Sequence, residues 1–195
     1  MKRIAIYCGS ASPADPVYIE AARIVGTELA QRGIGVVYGG GRLGLMGAVA
    51  DAALDAGGEV IGIIPQALVD AEVAHRGCTE LRIVSGMHER KALFTDLSDG
   101  FITLPGGVGT MDELWEAVSW SQLGYHEKPV GLLNVGGFYD ALIAFNAHMA
   151  SVGFVREQHR GILLSDDSLD GLLGQMTAYR PHETILPTDW IMAGR

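Results

Sequence analysis

A glycine-rich stretch near the middle of the chain is the first candidate for chemistry. Residues 105–110 read Pro-Gly-Gly-Val-Gly-Thr, follow an apolar run and lead into a segment with helical character. Glycines allow left-handed backbone conformations and let a ligand approach the main chain closely. Exposed N–H groups at the positive end of a helix then form a site for an anion such as phosphate. No Lys-Ser or Lys-Thr pair follows, so this 105–110 loop is not a nucleoside-triphosphate P-loop.

A carboxylate stands three residues after Thr110, and its spacing has two interpretations. In a capping box, Thr110-x-x-Glu113, the Glu113 side chain accepts a hydrogen bond from a helix N-terminal N–H and has no further role. Alternatively, Glu113 faces the ligand that the loop binds and acts as a base or stabilises positive charge. The spacing favours the first interpretation, whereas the glycine loop directly before it favours the second.

A basic pair lies at the start of another predicted helix, in the run His88-Glu89-Arg90-Lys91. Cations are unfavourable beside the positive end of the helix dipole, so the pair predicts an anionic partner, either phosphate or carboxylate. The planar guanidinium of Arg90 suits both. A solvated charge run is the alternative. His88 is either an acid–base group or a structural histidine.

A second glycine stretch, the 39–44 loop, matches the Gly-x-Gly-x-x-Gly dinucleotide fingerprint. The full fingerprint needs an acidic residue at the end of the next strand, but that strand ends in Pro65-Gln66. Dinucleotide binding is therefore disfavoured. We expect a mononucleotide phosphate to rest on Gly40, Gly41 and Gly44 at a helix N-terminus. The alternative is that these glycines serve only a tight turn.

These segments must be positioned by alternating strands and helices. Apolar runs without alternation predict strands at 4–7, 34–38, 60–64, 81–84, 101–104 and 130–133. Helical patterns lie between them, at about 16–32, 45–56, 88–97, 111–123, 138–152 and 168–176. The pattern predicts an α/β fold, a single Rossmann-like doubly wound domain over residues 1–180, with a parallel sheet flanked by helices. Residues 181–195 are predicted to be a C-terminal tail or an arm onto a partner subunit. In such a sheet, ligands bind beyond the carboxyl ends of the strands, where both glycine loops fall.

Composition limits the classes of function. The chain has 195 residues and a formal net charge of −9, which gives no attraction to nucleic acid or to anionic membranes. Two cysteines without a Cys-x-x-Cys pair predict neither a disulfide framework nor a zinc site, and Cys8 is expected to be buried. The histidine spacing predicts no metal site. Without a signal-type or membrane-spanning apolar run, a cytoplasmic location is expected.

The stretches 105–113 and 87–91 together resemble the LOG (LONELY GUY) family, the cytokinin riboside 5′-monophosphate phosphoribohydrolases. The likeness extends through residues 39–47, 120–124, 128–134 and 137–140, and it thins after about Gly153. Similar bacterial sequences often carry the label "lysine decarboxylase-like". The resemblance implies hydrolysis of N6-substituted AMP, or AMP, to free base and ribose 5-phosphate by a homodimer without a cofactor.

The resemblance also implies roles for particular residues. Arg90 and Glu113 match the catalytic pair of the family. The substrate-binding positions of the family fall on Glu72, Arg90, Lys91, Gly107, Val108, Gly109, Thr110, Met111, Asp112, Glu113 and Ser119. Asp112 stands where many plant members carry Glu, and Ser119 where they carry Thr; both keep the functional group.

The expected mechanism passes through an oxocarbenium-like ribosyl cation, as in other glycoside hydrolyses. Glu113 would stabilise that cation and orient or deprotonate water, while Arg90 would hold Glu113 ionised and in place.

Two alternative functions stay open. A lysine decarboxylase would need pyridoxal phosphate on one of the lysines, which are Lys2, Lys91 and Lys128. A nucleotide-binding or carrier protein would use the same loops without turnover.

Overall fold

The computed structural model describes residues 1–71 and 73–185, and within them the chain forms one seven-stranded parallel sheet. The strands are β1 (Arg3–Tyr7), β2 (Gly35–Tyr38), β3 (Val60–Pro65), β4 (Glu80–Val84), β5 (Phe101–Thr103), β6 (Val130–Leu133) and β7 (Leu163–Asp166). Their order across the sheet is β4-β3-β2-β1-β5-β6-β7, so the direction of winding reverses between β1 and β5. The predicted α/β doubly wound fold is confirmed.

Helices cover both faces of the sheet. They are α1 (Pro16–Gln31), α2 (Gly44–Asp55), α3 (Gln66–Asp70), α4 (Met87–Leu97), α5 (Val108–Leu123), α6 (Asp140–Ser151) and α7 (Leu169–Ala178), with 3₁₀ turns at Val135–Gly137 and Glu157–His159. Apolar side chains of α1, α2 and α7 form the core on one face, and those of α4, α5 and α6 form the core on the other. Helices α4 and α5, which carry the two candidate groups Arg90 and Glu113, therefore lie on the same side of the sheet.

All six predicted strands are present, and the elements that the sequence did not predict are short or peripheral. β7 lies at the edge of the sheet, its four residues are only partly buried, and it contains Ser165 and Asp166, so it has no apolar run. α3 has five residues and buries none of them completely. β7 has only two apolar residues and α3 only five residues in all, so neither is long enough to show a recognisable apolar pattern.

The C-terminal part of the chain is described only as far as Ile185. The Ile185 N–H donates a hydrogen bond to the Gln122 carbonyl of α5 (3.2 Å), so residues 181–185 lie along that helix. The rest of the predicted tail, with Trp190, lies outside the described residues. Cys8 is buried, as predicted, and neither Cys8 nor Cys78 forms a disulfide. None of the helices in the described ranges is long and apolar enough to cross a bilayer.

Candidate active site between β1 and β5

A cavity of about 480 Å³ opens at the carboxyl edge of the sheet, where the winding reverses. This is the position at which doubly wound sheets bind ligands. Most of its wall comes from the ends of β1, β2 and β3 and from the starts of α2, α4 and α5. The residues that line it are Cys8, Gly9, Ser10, Ala11, Gly39, Gly41, Leu43, Met46, Ile64, Leu68, Val73, Arg90, Gly107, Val108, Gly109, Thr110 and Glu113. The structure thus brings Arg90, Glu113 and the 105–110 loop together, although they are far apart in sequence.

The 105–110 loop is fixed against the end of β1. The Gly9 N–H donates a hydrogen bond to the Pro105 carbonyl (3.1 Å). A Cβ on Gly106 would lie 2.2 Å from the Thr110 Oγ1, so only glycine fits at that position. By contrast, a Cβ on Gly107 or Gly109 would meet no atom within 4 Å. These two glycines therefore border open space on the cavity side.

Helix α5 begins within this stretch, at Val108, and presents unpaired amides to the cavity. Its N-cap is Gly107, which has no side chain with which to cap the helix. Across the described residues, the N–H groups of Val108, Gly109 and Thr110 have no hydrogen-bond acceptor, as is usual in the first turn of an α-helix. Three such donors at the positive end of a helix dipole form an anion site.

Arg90 is a buried cation, with 7% of its surface exposed. Its Nε donates a hydrogen bond to the Ile63 carbonyl (3.1 Å), and its Nη2 donates one to the Gly39 carbonyl (3.2 Å). Its Nη1 lies 3.3 Å from Glu113 Oε1. The two carbonyl contacts fix the guanidinium plane, so that the remaining nitrogen points toward the carboxylate. The prediction that the basic pair on α4 has an anionic partner is confirmed, since carboxylates of α5 face it.

Glu113 lies in the second turn of α5, because the helix already begins at Val108. It therefore cannot form the capping box with Thr110, and that interpretation is wrong. Only 11% of its side chain is exposed, and burial raises its pKa to about 7, although Arg90 lowers it. Arg90 acts in the expected direction, toward the ionised carboxylate, but burial outweighs it and keeps the pKa above that of an ordinary Glu. A carboxyl group with a pKa near neutral can both accept and donate a proton at physiological pH.

Lys91, the second cation of the pair, does not line the cavity. Its Nζ lies 2.9 Å from Asp112 Oδ2 and 2.9 Å from Glu116 Oε2. Burial opposes its charge, but the two carboxylates outweigh burial and raise its pKa. Lys91 and Asp112 therefore form a second ion cluster beside the pair of Arg90 and Glu113.

Comparison with known proteins identifies a family that this chain matches. The family described as "Possible lysine decarboxylase" matches residues 46–176. A probable cytokinin riboside 5′-monophosphate phosphoribohydrolase, LOGL1 of Oryza sativa subsp. japonica, is 48% identical over 98% of this chain and 86% of its own length. The cytokinin riboside 5′-monophosphate phosphoribohydrolase LOG of the same plant is 49% identical over 92% of this chain and 74% of its own length.

The chain belongs to the LOG family. The fold is shared more widely, at lower identity. The molybdenum cofactor binding protein from the phototrophic bacterium Rippkaea orientalis superposes with a TM-score of 0.66 and 20% identity, over 90% of this chain and 95% of that chain. At this identity the likeness concerns the fold alone.

Several positions that the LOG resemblance assigns to substrate do not line the cavity. Lys91, Met111 and Asp112 are absent from its wall. Ser119 lies about 9 Å further along α5 than Glu113, from the helical rise of six residues. It borders a separate cleft with Trp115 and Phe154. The other assigned position, Glu72, lies outside the described residues.

The 39–44 loop packs against protein atoms. A Cβ on Gly39 would lie 2.1 Å from Arg90 Nη2, and one on Gly44 (φ +58°) would lie 2.2 Å from the Ala11 carbonyl oxygen. The N–H groups of Leu45 and Met46, in the first turn of α2, already donate to the Gly9 carbonyl (3.1 and 3.3 Å). The geometry favours the tight-turn interpretation, since the helix end expected to hold phosphate is occupied.

The three glycines assigned to a phosphate on this loop are separated by the turn. Gly41 lines the cavity, whereas Gly40 and Gly44 do not. Gly40 has a φ of +72° and packs closely on Ile63 and Ile64 of β3. The conformation of the turn therefore accounts for the glycine at that position.

Other candidates named from sequence lie outside the cavity wall. His88 is exposed. The Lys128 Nζ donates a hydrogen bond to the Thr95 carbonyl, and Lys2 lies exposed at the edge of β1. In residues 1–71 and 73–185 no group of three His, Cys, Asp or Glu side chains is placed to hold a metal ion.

Some cavity residues were not identified as candidates from sequence. Ser10 and Met46 line the wall, as do Leu68 and Val73 around α3. Ser10 follows a predicted strand, which was the available signal for it. Leu68 and Val73 gave no signal, because α3 itself was not predicted.

Proposed function

We propose that this protein is an enzyme that hydrolyses the N-glycosidic bond of AMP or of N6-substituted AMP, the cytokinin riboside 5′-monophosphates. The products are the free base and ribose 5-phosphate. The observation that carries the proposal is the buried ion pair of Arg90 and Glu113 beside three unpaired helix amides. The names of the relatives that match almost the whole chain support the same activity.

The 5′-phosphate would bind to the N–H groups of Val108, Gly109 and Thr110. Helix α5 suits this role better than α2, since the first-turn amides of α2 already donate to Gly9. Binding of the phosphate orients the ribose, and orientation by a remote group lowers the barrier at the reacting bond. The bordering glycines leave room for the phosphate oxygens, because no Cβ projects there.

Glu113 would act at C1′ of the ribose. As the bond from C1′ to the base nitrogen breaks, its electron pair leaves with the base and C1′ becomes an oxocarbenium-like cation. The Glu113 carboxylate stabilises this cation and accepts a proton from the water whose oxygen bonds to C1′. That proton is then available to the departing base. Arg90 stays charged and holds the carboxylate in position.

The further site positions remain part of this proposal. Glu72, Lys91, Met111, Asp112 and Ser119 are proposed to contribute to substrate binding on the strength of the family resemblance. Ser119 would do so in a homodimer, near the exposed Phe154 side chain (84% exposed).

We propose that residues 1–180 act as one domain and that the enzyme works in the cytoplasm. We also propose that two copies pair through the apolar cleft lined by Trp115, Ser119 and Phe154. Light scattering of Phe154→Asp tests the pairing, with a monomer as the expected result.

Turnover tests the function itself. Purified protein is incubated with AMP and with N6-isopentenyl-AMP, and free base and ribose 5-phosphate are quantified by chromatography. We expect both products in equal amounts, and we expect Glu113→Gln to lower kcat by about 10²–10³-fold, as for loss of one transition-state contact. Nucleotide binding without products would instead indicate the carrier alternative.

A further inference from the structure

Helices α4 and α5 are joined by a second ion cluster, next to the pair of Arg90 and Glu113. Lys91 lies between Asp112 and Glu116, at 2.9 Å from each, and only 13% of its side chain is exposed. Glu116 has 27% of its side chain exposed, whereas Asp112 has 59%. The attraction between Lys91 and Glu116 is therefore the less screened of the two.

The spacing of these residues along the helices places the two clusters side by side. Lys91 follows Arg90 directly on α4, and Glu116 stands three residues after Glu113 on α5, which puts the two carboxylates on neighbouring positions of one helix face. The positive charge of Lys91 already acts on Glu113 across this short distance. If Lys91 lost Glu116, it would keep only the more exposed Asp112 as a partner, and Glu113 is the buried carboxylate on which its charge already acts.

We propose that Glu116 is a positioning residue for the hydrolysis. It holds Lys91 away from Glu113, so that Glu113 keeps its single contact with Arg90 and its carboxylate stays free to face the ribose. The inference rests on the proposed function, since it assigns Glu116 a part in that reaction. Glu116 does not line the cavity; it contacts Lys91 and acts on Glu113 through its charge.

The electrostatic surroundings of Glu113 provide a readout for this role. Burial raises its pKa most, and the charged groups of α4 and α5 that act on it are Arg90, Lys91, Asp112 and Glu116. Tyr7, at the end of β1, and Cys8, just after it, also interact with Glu113, and burial keeps both protonated by raising their pKa values. The two cations lower the pKa of Glu113, and the two carboxylates raise it. Loss of Glu116 must therefore lower this pKa, and loss of Lys91 must raise it.

The experiment compares wild type with Glu116→Gln, Glu116→Asp and Lys91→Met in the hydrolysis of AMP. For Glu116→Gln we expect kcat to fall about tenfold with KM changed less than about twofold, because the carboxylate is misplaced while the phosphate site is intact. The acid limb of its kcat–pH profile should shift to lower pH by about half a unit, and that of Lys91→Met to higher pH. Glu116→Asp should recover part of the lost kcat. Glu20→Gln is the matched control, since it removes an exposed ion pair with Arg23 on α1, which packs on the opposite face of the sheet from α4 and α5.

A titration that needs no turnover separates this inference from the proposed function. The carboxyl carbon of Glu113, labelled with carbon-13 and assigned with Glu113→Gln, is followed by NMR against pH in each variant. Opposite shifts of its midpoint in Glu116→Gln and Lys91→Met support the inference, even if wild type proves inactive and the proposed function fails. An unchanged midpoint in a folded Glu116→Gln overturns it. If Glu116→Gln does not fold, Lys91→Met decides, and an unmoved midpoint there also overturns it.

Discussion

The two glycine loops of this protein look alike in sequence, yet they use their glycines for different reasons. In the 39–44 loop, a side chain at Gly39 or Gly44 would collide with atoms of the protein itself, namely Arg90 or Ala11. In the 105–110 loop, Gly107 and Gly109 border open space in the cavity. Glycine content alone therefore does not identify a phosphate loop.

The helices that follow the two loops, α2 and α5, differ in the same way at their N-termini. Two of the first-turn amides of α2, those of Leu45 and Met46, donate to the carbonyl of Gly9, which follows β1. Those of α5 have no acceptor within the part of the chain that the structure describes. Of the two, the 39–44 loop positions the guanidinium of Arg90, and the 105–110 loop is left to bind an anion.

The largest effect should follow from Gly39→Ala. The new methyl group would overlap the tips of Arg90 and Met46, at 2.1 and 2.2 Å, and both are flexible side-chain ends that can move. The fold should survive, while the displaced guanidinium should lower kcat for AMP by about 100-fold. Gly41→Ala is the control, because its nearest contact would be 3.5 Å. Equal kcat values for the two variants would contradict the idea that the 39–44 loop positions the Arg90 guanidinium.

A loss of stability should follow from Gly44→Ala. Its φ of +58° is unfavourable for alanine, and the Cβ would meet backbone atoms of Ser10 and Ala11 that cannot move independently. We expect a loss of about 3 kcal/mol in the free energy of unfolding, measured by urea denaturation. Gly174→Ala in α7, which would meet no atom within 4 Å, should be neutral or stabilising. Similar losses for both would mean that packing does not explain Gly44.

Gly109→Ala should have the opposite profile, with binding affected and stability preserved. The added methyl group meets no protein atom but enters the space proposed for the phosphate. We expect KM for AMP to rise about tenfold while the free energy of unfolding changes by less than about 1 kcal/mol. An unchanged KM would place the phosphate elsewhere.

A separate effect, on the Arg90 side of the site, concerns the dependence of stability on pH. The pKa of Glu113 is raised to about 7 in the folded protein, so this group favours folding below pH 4.5 and loses that contribution as pH rises through 7. Between pH 5 and pH 8, wild type should therefore lose roughly 1–3 kcal/mol relative to Glu113→Gln. Thermal denaturation of both proteins at several pH values measures the difference, and parallel curves would mean that Glu113 titrates normally.

The sequence by itself determined the class of fold and the segments that meet at the site. Five of the six predicted strands are buried and gave continuous apolar runs, because both faces of a parallel sheet are covered, and the sixth, β4, was recognised from its apolar residues although it is a largely exposed edge strand. The run containing Arg90 was recognisable because adjacent cations are unfavourable at a helix start. The loop before Glu113 was recognisable because three glycines within four residues lead directly into a helix. The edge strand β7, with two apolar residues, and α3, with five residues in all, are too short to show a pattern.

Only the tertiary structure decided what each candidate does. Thr110 and Glu113 have capping-box spacing, but the helix begins two residues before Thr110, so Glu113 faces Arg90 instead. Likewise, the 39–44 loop fits the phosphate-binding pattern, but the Gly9 carbonyl occupies its helix end. Helix boundaries and the partners of buried polar groups depend on contacts between residues distant in sequence, which local spacing does not contain.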